Sequence, residues 1–181
     1  MAPLSRSFLF GGDQPWCSTN WTSSDDRVRG GSSYSTLTIL PNHTVQLHGH
    51  LNITTLGGAG FASQRTTDDL SRDLSGADRL ELDIAGSDGK VYTLVLRDRL
   101  LPKQPDGREQ STVSWEYEFR KAEKAIVRVR WVDLRAMYRG RGVDAEPLDL
   151  RNIERISIMV RRRECEFLLD IASIAAFRGD R

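Results

Sequence analysis

The chain has 181 residues, the length of one ordinary domain, and a chain of this size buries about two-thirds of the surface that its unfolded form exposes. Hydrophobic residues make up 39% and charged residues 28%, and no stretch approaches the roughly 18 apolar residues of a membrane-spanning helix. This excludes a transmembrane segment of that kind and argues against a largely disordered chain. The formal net charge of +1 gives no overall field for a phosphate backbone, so nucleic acid is not an expected partner.

The amino-terminal segment has little targeting character. Residues 1–10 contain one arginine and the short apolar run Phe8–Phe10, much less than the apolar core of a signal peptide. The same residues are too poor in arginine for a mitochondrial presequence. The two cysteines, Cys17 and Cys165, lie far apart and match neither a metal pair nor a disulfide framework. These features predict an intracellular protein with reduced thiols, in the cytoplasm rather than the mitochondrion.

Alternation of apolar and polar residues with a period of two dominates the rest of the chain. Leu80, Leu82 and Ile84, for example, alternate with charged residues, as in a strand with one face in the core and the other in water. In chain order, the strands predicted on this basis are Tyr34–Leu40, His43–Leu51, Phe61–Arg65, Arg79–Ile84, Lys90–Arg97, Val113–Arg120, Ala125–Trp131, Ile153–Val160, Cys165–Ile171 and Ile174–Phe177.

The segments between these strands indicate turns and loops. Asp68–Leu74 and Leu148–Asn152 have room for one helical turn each, too little for a crossover helix between parallel strands. Ser87–Gly89 is predicted to be a hairpin loop, Pro102–Thr112 a longer exposed loop, and Arg161–Arg163 a solvated hairpin tip. About eight to ten short strands separated by such turns predict an all-β sandwich or jelly roll, formed as one domain over residues 1–181.

The first candidate site is the polar segment 21–33. It combines paired acids, two arginines and a double glycine, so it cannot bury an apolar face and is predicted to form a structured loop with a tight backbone. Such loops often carry function, but ion pairs between these acids and arginines that merely pin the loop explain the same residues. Both interpretations remain open. The candidate binding residues here are Trp21, Asp25, Asp26, Arg27, Arg29, Gly30, Gly31 and Ser32.

The second candidate is the glycine-rich segment 56–65. It lacks the Gly-Lys-Ser/Thr end of a phosphate-binding Walker loop, and Ser63 stands where a dinucleotide fingerprint needs glycine. No cofactor is therefore predicted. The glycines are better explained by close strand packing or a bulge, which leaves Arg65 as the side chain able to hold an anion or carboxylate.

Histidines and tryptophans give weaker signals. His48 and His50 share one face of a predicted strand, but no residue at a recognisable spacing completes a zinc site, so no metal is predicted. Trp16 and Trp21 lie in loop sequence, where they either stack on a ligand such as a sugar or plug one end of the sandwich. The other two tryptophans, Trp115 and Trp131, lie on apolar strand faces and are assigned to the core.

A basic turn forms the last candidate. Tyr138, Arg139 and Arg141 belong to a glycine-containing turn that follows the Ala125–Trp131 strand. The two guanidinium groups either bind an acidic partner or balance the nearby Asp144 and Glu146.

Taken together, these segments resemble one family. The stretch Ser24–Ser33, the loop Gly57–Arg65, the turn Tyr138–Arg141 and the strands Phe167–Ile174 are similar to the complex I intermediate-associated protein 30 family, over about residues 21–177. The family includes an assembly factor for mitochondrial NADH:ubiquinone oxidoreductase. The resemblance implies a galactose-binding-domain-like β-jelly roll that acts as a chaperone for assembly intermediates, with no chemistry and no bound redox cofactor. This chain looks like the short stand-alone members.

Two hypotheses on function follow. The first is a non-enzymatic binding or assembly-factor module, with a protein partner or a small-molecule ligand held by the loops; it predicts that Asp26, Arg29 and Arg65 cluster. The alternative is a small cofactor-independent enzyme, such as an isomerase or cyclase, with Asp25, Asp26 or a histidine as proton carrier. A sandwich that binds a small molecule or carbohydrate is a further alternative. No catalytic residue is assigned.

Overall fold

The core of the protein lies between two antiparallel sheets. The computed structural model describes residues 5–67, 70–163 and 165–179. Over these residues the strands are β1 Ser5–Gly11, β2 Trp21–Ser23, β3 Tyr34–Ile39, β4 Val45–Leu51, β5 Phe61–Thr66, β6 Arg79–Ser87, β7 Val91–Arg97, β8 Ser114–Arg120, β9 Ala125–Arg130, β10 Arg135–Tyr138, β11 Arg141–Gly142, β12 Arg155–Arg161 and β13 Cys165–Arg178. Three short 3₁₀ turns accompany them, at Ser18–Asn20, Asp26–Arg29 and Trp131–Asp133.

The first sheet has the strand order β3-β4-β13-β6-β9, with β1 also paired to β13. The second sheet has the order β11-β10-β8-β7-β12-β5-β2. Neighbours in each sheet are mostly distant in sequence, because the chain passes repeatedly from one sheet to the other. This arrangement is a jelly-roll β-sandwich, so the fold class expected from the alternation pattern is confirmed.

The facing strands β6 and β7 form the centre of the core. Their inward side chains have no solvent exposure: Leu80, Leu82 and Ile84 from β6, and Tyr92, Leu94 and Leu96 from β7. The period-two pattern in the sequence therefore has its expected cause, since every second residue of these strands packs between the sheets. Burial of apolar surface on this scale is the main force that holds the sheets together.

Two predicted hairpins are wrong. Strands β6 and β7 lie in different sheets, so Ser87–Gly89 is an arch between sheets rather than a hairpin loop. The same holds for Arg161–Arg163, since β12 and β13 also lie in different sheets. Arg161 is not at a solvated tip; it donates to Glu116 at 2.7 Å, and only 19% of its side chain is exposed. Turn residues in the sequence show that the chain bends, but they do not show which sheet it enters next.

Several other elements differ from expectation, and the short strands β2, β10 and β11 are not among the predicted ones. The segments Cys165–Ile171 and Ile174–Phe177 form the single strand β13, whose register shifts around Ile171 interrupt the alternation. Strand β1 was not predicted, because only a short apolar run marks it. The predicted helical turn at 148–152 is absent, since Leu150 and Arg151 form a simple turn. Asp68 and Asp69, at the start of the other predicted turn, lie outside the described residues, and Arg72 beyond them forms a bridge with Ile153.

Candidate functional site

The Asp26–Arg29 turn and the glycine-rich loop before β5 meet at the carboxylate of Asp26, which is fully buried. Its Oδ1 accepts a hydrogen bond from the Ser33 amide at 3.0 Å, and its Oδ2 accepts one from the Ser33 hydroxyl at 2.6 Å. The Phe61 amide donates to the same Oδ2 at 3.0 Å. Asp26 thus joins the two candidate loops through a buried, charge-assisted network.

Asp25 makes a second junction beside the first. Its carboxylate accepts from the Ser35 amide at 3.1 Å and hydroxyl at 2.6 Å, and from the Ser63 amide at 2.9 Å. Arg27 also donates to it, at 3.1 Å, from an exposed side chain. The structure therefore favours the structural interpretation for both acids. They connect the starts of β3 and β5 and hold the loop geometry.

The glycines of both loops are required by this crowding. A Cβ atom on Gly31 would collide with the Asp26 carboxylate, and one on Gly60 would collide with the carbonyl oxygen of Asn52. Gly30 ends the 3₁₀ turn in the left-handed region, at φ 84°. Ser32 is exposed and lies 3.4 Å from the Thr55 hydroxyl. Gly30, Gly31 and Gly60 thus set the backbone geometry of the two loops.

A groove of about 860 Å³ opens next to these loops on the outer face of the second sheet. We call it the arginine groove, because its floor carries Arg65 from β5, Arg155 from β12 and Arg97 from β7. The loop between β7 and β8 forms one wall, and Arg29 of the Asp26–Arg29 turn lines the groove as well. The groove is a concave surface on which several charged groups converge.

Two of the floor arginines share one carboxylate from the wall. Glu109 accepts from Arg65 at 2.7 Å and from Arg155 at 2.7 Å. The exposed fraction is 12% for the Arg65 side chain and 7% for Arg155, against 37% for Glu109. A partly exposed acid from a loop is thus paired with two nearly buried guanidinium groups of adjacent strands.

Arg97 completes the floor. It donates to the Thr112 carbonyl oxygen at 2.7 Å and to the Thr112 hydroxyl at 2.9 Å. Burial lowers the pKa of Arg97, and the positive charge of Arg155 lowers it further. Arginine retains its proton in spite of such shifts, so the floor is cationic at neutral pH.

A second ion-pair cluster lies across the same sheet. Glu116 is 8% exposed, accepts from Ser114 at 2.9 Å and pairs with Arg161 at 2.7 Å. Glu116 lies on the outer face of the sheet, away from the core, and lines the arginine groove, where little of it is exposed. Glu118 pairs with Arg161 at 3.2 Å and with Arg162 at 2.6 Å.

The expected cluster of Asp26, Arg29 and Arg65 is brought together only in part. Arg29 and Arg65 line the same groove, and the Arg29 guanidinium lies 5.6 Å from the centre of the Phe61 ring, a cation–π contact. Asp26 lies behind them, enclosed by its hydrogen-bond donors. Val28, beside Arg29, is 65% exposed and adds an apolar element to the rim.

The basic turn contributes one side chain to the groove. β10 and β11 form a tight hairpin, with Arg139 and Gly140 both in the left-handed region at φ 50° and 78°. Arg139 lines the groove, and its guanidinium lies 5.3 Å from the Tyr138 ring centre. Arg141 is exposed on the other side of the turn and is not among the lining residues described.

The tryptophans in loop sequence close one end of the sandwich. Trp16 and Trp21 are 8% and 7% exposed and pack on Phe10, with ring centres 5.5 and 5.0 Å away. Trp16 also donates to the Ala172 carbonyl oxygen at 3.0 Å. Of the two interpretations left open for them, the plug fits the structure and the ligand platform does not.

The histidines of β4 lie on the outer face of the first sheet. His48 contacts the Thr38 hydroxyl at 3.1 Å, and Nδ1 of His50 lies 2.9 Å from Glu166. Across the described residues, no group of three or more His, Cys, Asp or Glu side chains is arranged to hold a metal ion. Within those same ranges, no helix has the length and apolar character needed to cross a membrane.

Sequence reasoning missed Arg97, Arg155 and Glu109. The alternation pattern does place Arg155 on one strand face with Ser157 and Met159, which is the signal available for it. Strand order is what joins that face to β5 and β7, and the sequence pattern does not contain strand order.

Comparison with known proteins gives one family and one fold. The family model for complex I intermediate-associated protein 30 matches residues 8–171. An uncharacterized protein of Schizosaccharomyces pombe is 38% identical over 162 residues, which cover 84% of this chain and 74% of the relative.

Solved structures of similar fold include carbohydrate-binding modules. The family 11 carbohydrate-binding module of the cellulosomal cellulase Lic26A-Cel5E of Clostridium thermocellum matches with a TM-score of 0.64 and 16% identity, over 99% of this chain and 97% of that one. The Clostridium thermocellum family 11 module in complex with a β-1,3-1,4-mixed-linked tetrasaccharide matches with a TM-score of 0.60 and 16% identity, over 96% and 95% of the two chains. At this identity the likeness concerns the fold.

Proposed function

This chain belongs to the complex I intermediate-associated protein 30 family, and from that premise we propose that it is a non-enzymatic binding module that holds a protein partner in the arginine groove. The family takes its name from association with an intermediate of complex I. A subunit or segment of an assembling protein complex is therefore the expected class of partner.

The observation that carries this proposal is the pair of nearly buried guanidinium groups on the groove floor. Arg65 and Arg155 come from adjacent strands, and both are oriented by the sheet toward the same concave surface. Guanidinium groups held this rigidly suit fixed, planar contacts with carboxylates. A groove of this size with charged groups at its floor and apolar side chains at its rim is typical of a recognition surface.

The enzyme alternative is weakened by the positions of its acids. Asp25 and Asp26, the expected proton carriers, both lie among backbone and hydroxyl donors, and neither is among the residues that line the groove. Among the described lining residues there is also no histidine. Asp25 and Asp26 thus support the loops and do not line the groove.

A neutral carbohydrate is the second candidate ligand, since the solved structures of similar fold include carbohydrate-binding modules. The groove gives it less support than it gives an acidic protein. Phe61 is the one aromatic residue among the described lining residues, and Trp16 and Trp21 pack into the end of the sandwich. A stacking surface for sugar rings is therefore small, whereas cationic groups are prominent.

Site-specific cross-linking in the native cell tests the proposal. A photoreactive amino acid is placed at Met159, which lines the groove, and at Leu168, which is 40% exposed on the outer face of the first sheet and serves as the matched control. We expect a defined protein adduct from position 159 and none from position 168. The same adducts from both positions, or adducts from position 168 alone, would contradict the proposal.

A further inference from the structure

We propose, building on the function proposed above, that the partner places a carboxylate between Arg65 and Arg155, and that Glu109 is a built-in competitor for this place. The groove then selects an acidic segment of the partner protein. Binding exchanges an internal acid for an external one, and the loop between β7 and β8 is the part that moves.

The geometry around Glu109 defines a carboxylate site. Its Oε1 accepts from Nη2 of Arg65 at 2.7 Å, and its Oε2 accepts from Nη1 of Arg155 at 2.7 Å. Nη2 of Arg155 also donates to Oε1, at 3.3 Å. One carboxylate thus spans two guanidinium groups whose positions are fixed by adjacent strands. Any side chain that replaces Glu109 needs the same planar pair of oxygens, and an Asp or Glu of a partner supplies it.

The loop that carries Glu109 makes few hydrogen bonds to the sheet. It runs from Asp98 to Val113 without a strand, and residues 101–110 are all exposed. Loops longer than about 12–15 residues without secondary structure are uncommon in compact domains and are usually either functional or disordered linkers. Its internal hydrogen bonds are local, such as that from the Gln104 amide to the Arg108 carbonyl oxygen at 2.8 Å.

The base of the loop is held separately from Glu109. Arg97 fixes Thr112 at 2.7 Å, and Glu154 accepts from the Leu100 amide at 2.8 Å. The segment between these two anchors is connected to the groove floor through Glu109. Loss of the Glu109 contacts therefore frees the exposed part of the loop while its two ends stay in place.

The rim of the groove adds apolar selectivity. Val28 is 65% exposed and Leu101 is 37% exposed, and both line the groove with the half-buried Met159. An acidic segment that also carries apolar side chains would cover these residues while its carboxylate reaches the arginines. Complementary charge gives such a segment its orientation, and the apolar contacts add affinity.

The test uses fluorescence anisotropy with the full chain and a fluorescein-labelled synthetic peptide of about ten alternating glutamate and leucine residues. Replacing Glu109 with glutamine removes the competing charge but keeps the shape of the side chain. We expect E109Q to bind the peptide about tenfold more tightly than wild type, because a tenfold change in affinity corresponds to about 1.4 kcal/mol, a modest value for a charged hydrogen-bond pair. In the E109Q background, R65Q should abolish that gain.

A matched control distinguishes release of the Glu109 contacts from the general effect of removing one negative charge. Asp106 lies in the same loop and pairs with Arg108 of that loop at 2.7 Å, so D106N removes one negative charge without altering the contacts of Arg65 or Arg155. D106N should change the affinity less than about twofold, on the general weakness of exposed ion pairs. A peptide in which glutamine replaces every glutamate should not distinguish E109Q from wild type.

Hydrogen exchange of the loop amides gives an independent readout. Addition of the acidic peptide to wild type should speed exchange in residues 101–110, because Glu109 leaves the arginines. Equal affinity of E109Q and wild type, or E109Q and D106N gaining equally, would overturn the proposal. So would a gain for oligogalacturonate without a gain for the peptide, which would point to an acidic sugar.

The two proposals fail in different ways. If the cross-link at position 159 identifies a partner but E109Q leaves peptide binding unchanged, the docking surface stands and the Glu109 competition is wrong. If neither result appears, the groove is not the recognition surface.

Discussion

Asp26 illustrates how much of the candidate loop depends on one buried carboxylate. Replacement with asparagine keeps the size of the side chain but replaces one carboxylate oxygen with an amide N–H₂ group. Either the Ser33 amide, or the Ser33 hydroxyl and the Phe61 amide, then face a donor in place of their acceptor. We expect D26N to lower the free energy of unfolding by about 3 kcal/mol, as measured by urea denaturation. The control is D13N, on an exposed aspartate, which should shift it by no more than about 0.5 kcal/mol. Equal stabilities of the two variants would contradict this account.

Glu81 gives a pH dependence of known sign. Glu81 is 3% exposed, and its carboxylate is contacted by Arg6 at 2.6 Å and Arg79 at 2.9 Å. Burial alone would raise the pKa of Glu81, but the hydrogen bonds and positive charges of Arg6 and Arg79 outweigh burial and hold the pKa below its usual value of 4.5. The stability that this group contributes is therefore complete above the pKa of the unfolded chain and is lost as the pH falls through the lower pKa of the folded state.

Denaturation measured across the acid range checks this expectation. The free energy of unfolding should fall on acidification below about pH 4.5. E81Q, which cannot titrate, should be less stable at neutral pH and show a shallower fall. Parallel curves for E81Q and wild type would mean that other carboxylates cause the acid sensitivity.

The sequence predicted the chemistry of single residues better than their orientation. It identified Asp25, Asp26 and Arg29 on a structured loop and Arg65 in the glycine-rich segment. The structure places Arg29 and Arg65 in one groove and the two buried acids behind it. It did not decide between pinning and binding, because this depends on which donors surround each carboxylate. The Ser33 and Ser35 hydroxyls that surround the two acids look like ordinary polar turn residues in the sequence.

At the scale of elements, the glycine-rich loop can be tested by adding one methyl group. Gly60 is buried, and a Cβ atom there would collide with the Asn52 carbonyl oxygen and lie 2.9 Å from Asp26. We expect G60A to cost about 2 kcal/mol in the free energy of unfolding, because the clash involves backbone that cannot move cheaply. Gly76 has nothing within 4 Å of its added Cβ, so G76A is the matched control and should be nearly neutral. If G60A is as stable as G76A, the two loops pack more loosely than described.

The alternation pattern predicts a strand wherever one face of the strand is buried and the other is exposed to solvent. β6 and β9 are of this kind and were predicted. β1 is not predicted, because its first residues are exposed and only its end, at Leu9 and Phe10, enters the core. The sequence predicts hairpins at Ser87–Gly89 and Arg161–Arg163, where the structure has arches, because a turn signal is local while sheet membership depends on pairing partners far along the chain. For the same reason the arginine groove, built from β5, β12 and β7, could not be predicted as a unit.

At the scale of the whole molecule, both sheets share one core, so we propose that residues 1–181 behave as one cooperative domain. The stability of this domain should depend strongly on Phe10 of β1. This residue is 2% exposed and packs on Trp16 and Trp21 at the end of the sandwich. Its loss leaves a cavity next to both tryptophans. We expect F10A to lower the free energy of unfolding by about 3–5 kcal/mol.

Two probes on the same F10A sample distinguish a global effect from a local one. In a W115F/W131F background, shared by the reference protein, tryptophan fluorescence comes from Trp16 and Trp21 at the packed end of the sandwich. Far-ultraviolet circular dichroism reports on strands of both sheets. In a single cooperative unit both midpoints move to the same lower denaturant concentration, as two-state unfolding requires. V132A, at a side chain that is 82% exposed, should leave both midpoints in place. A fluorescence change without a matching change in circular dichroism would mean that β1 and the tryptophans unfold independently of the two sheets.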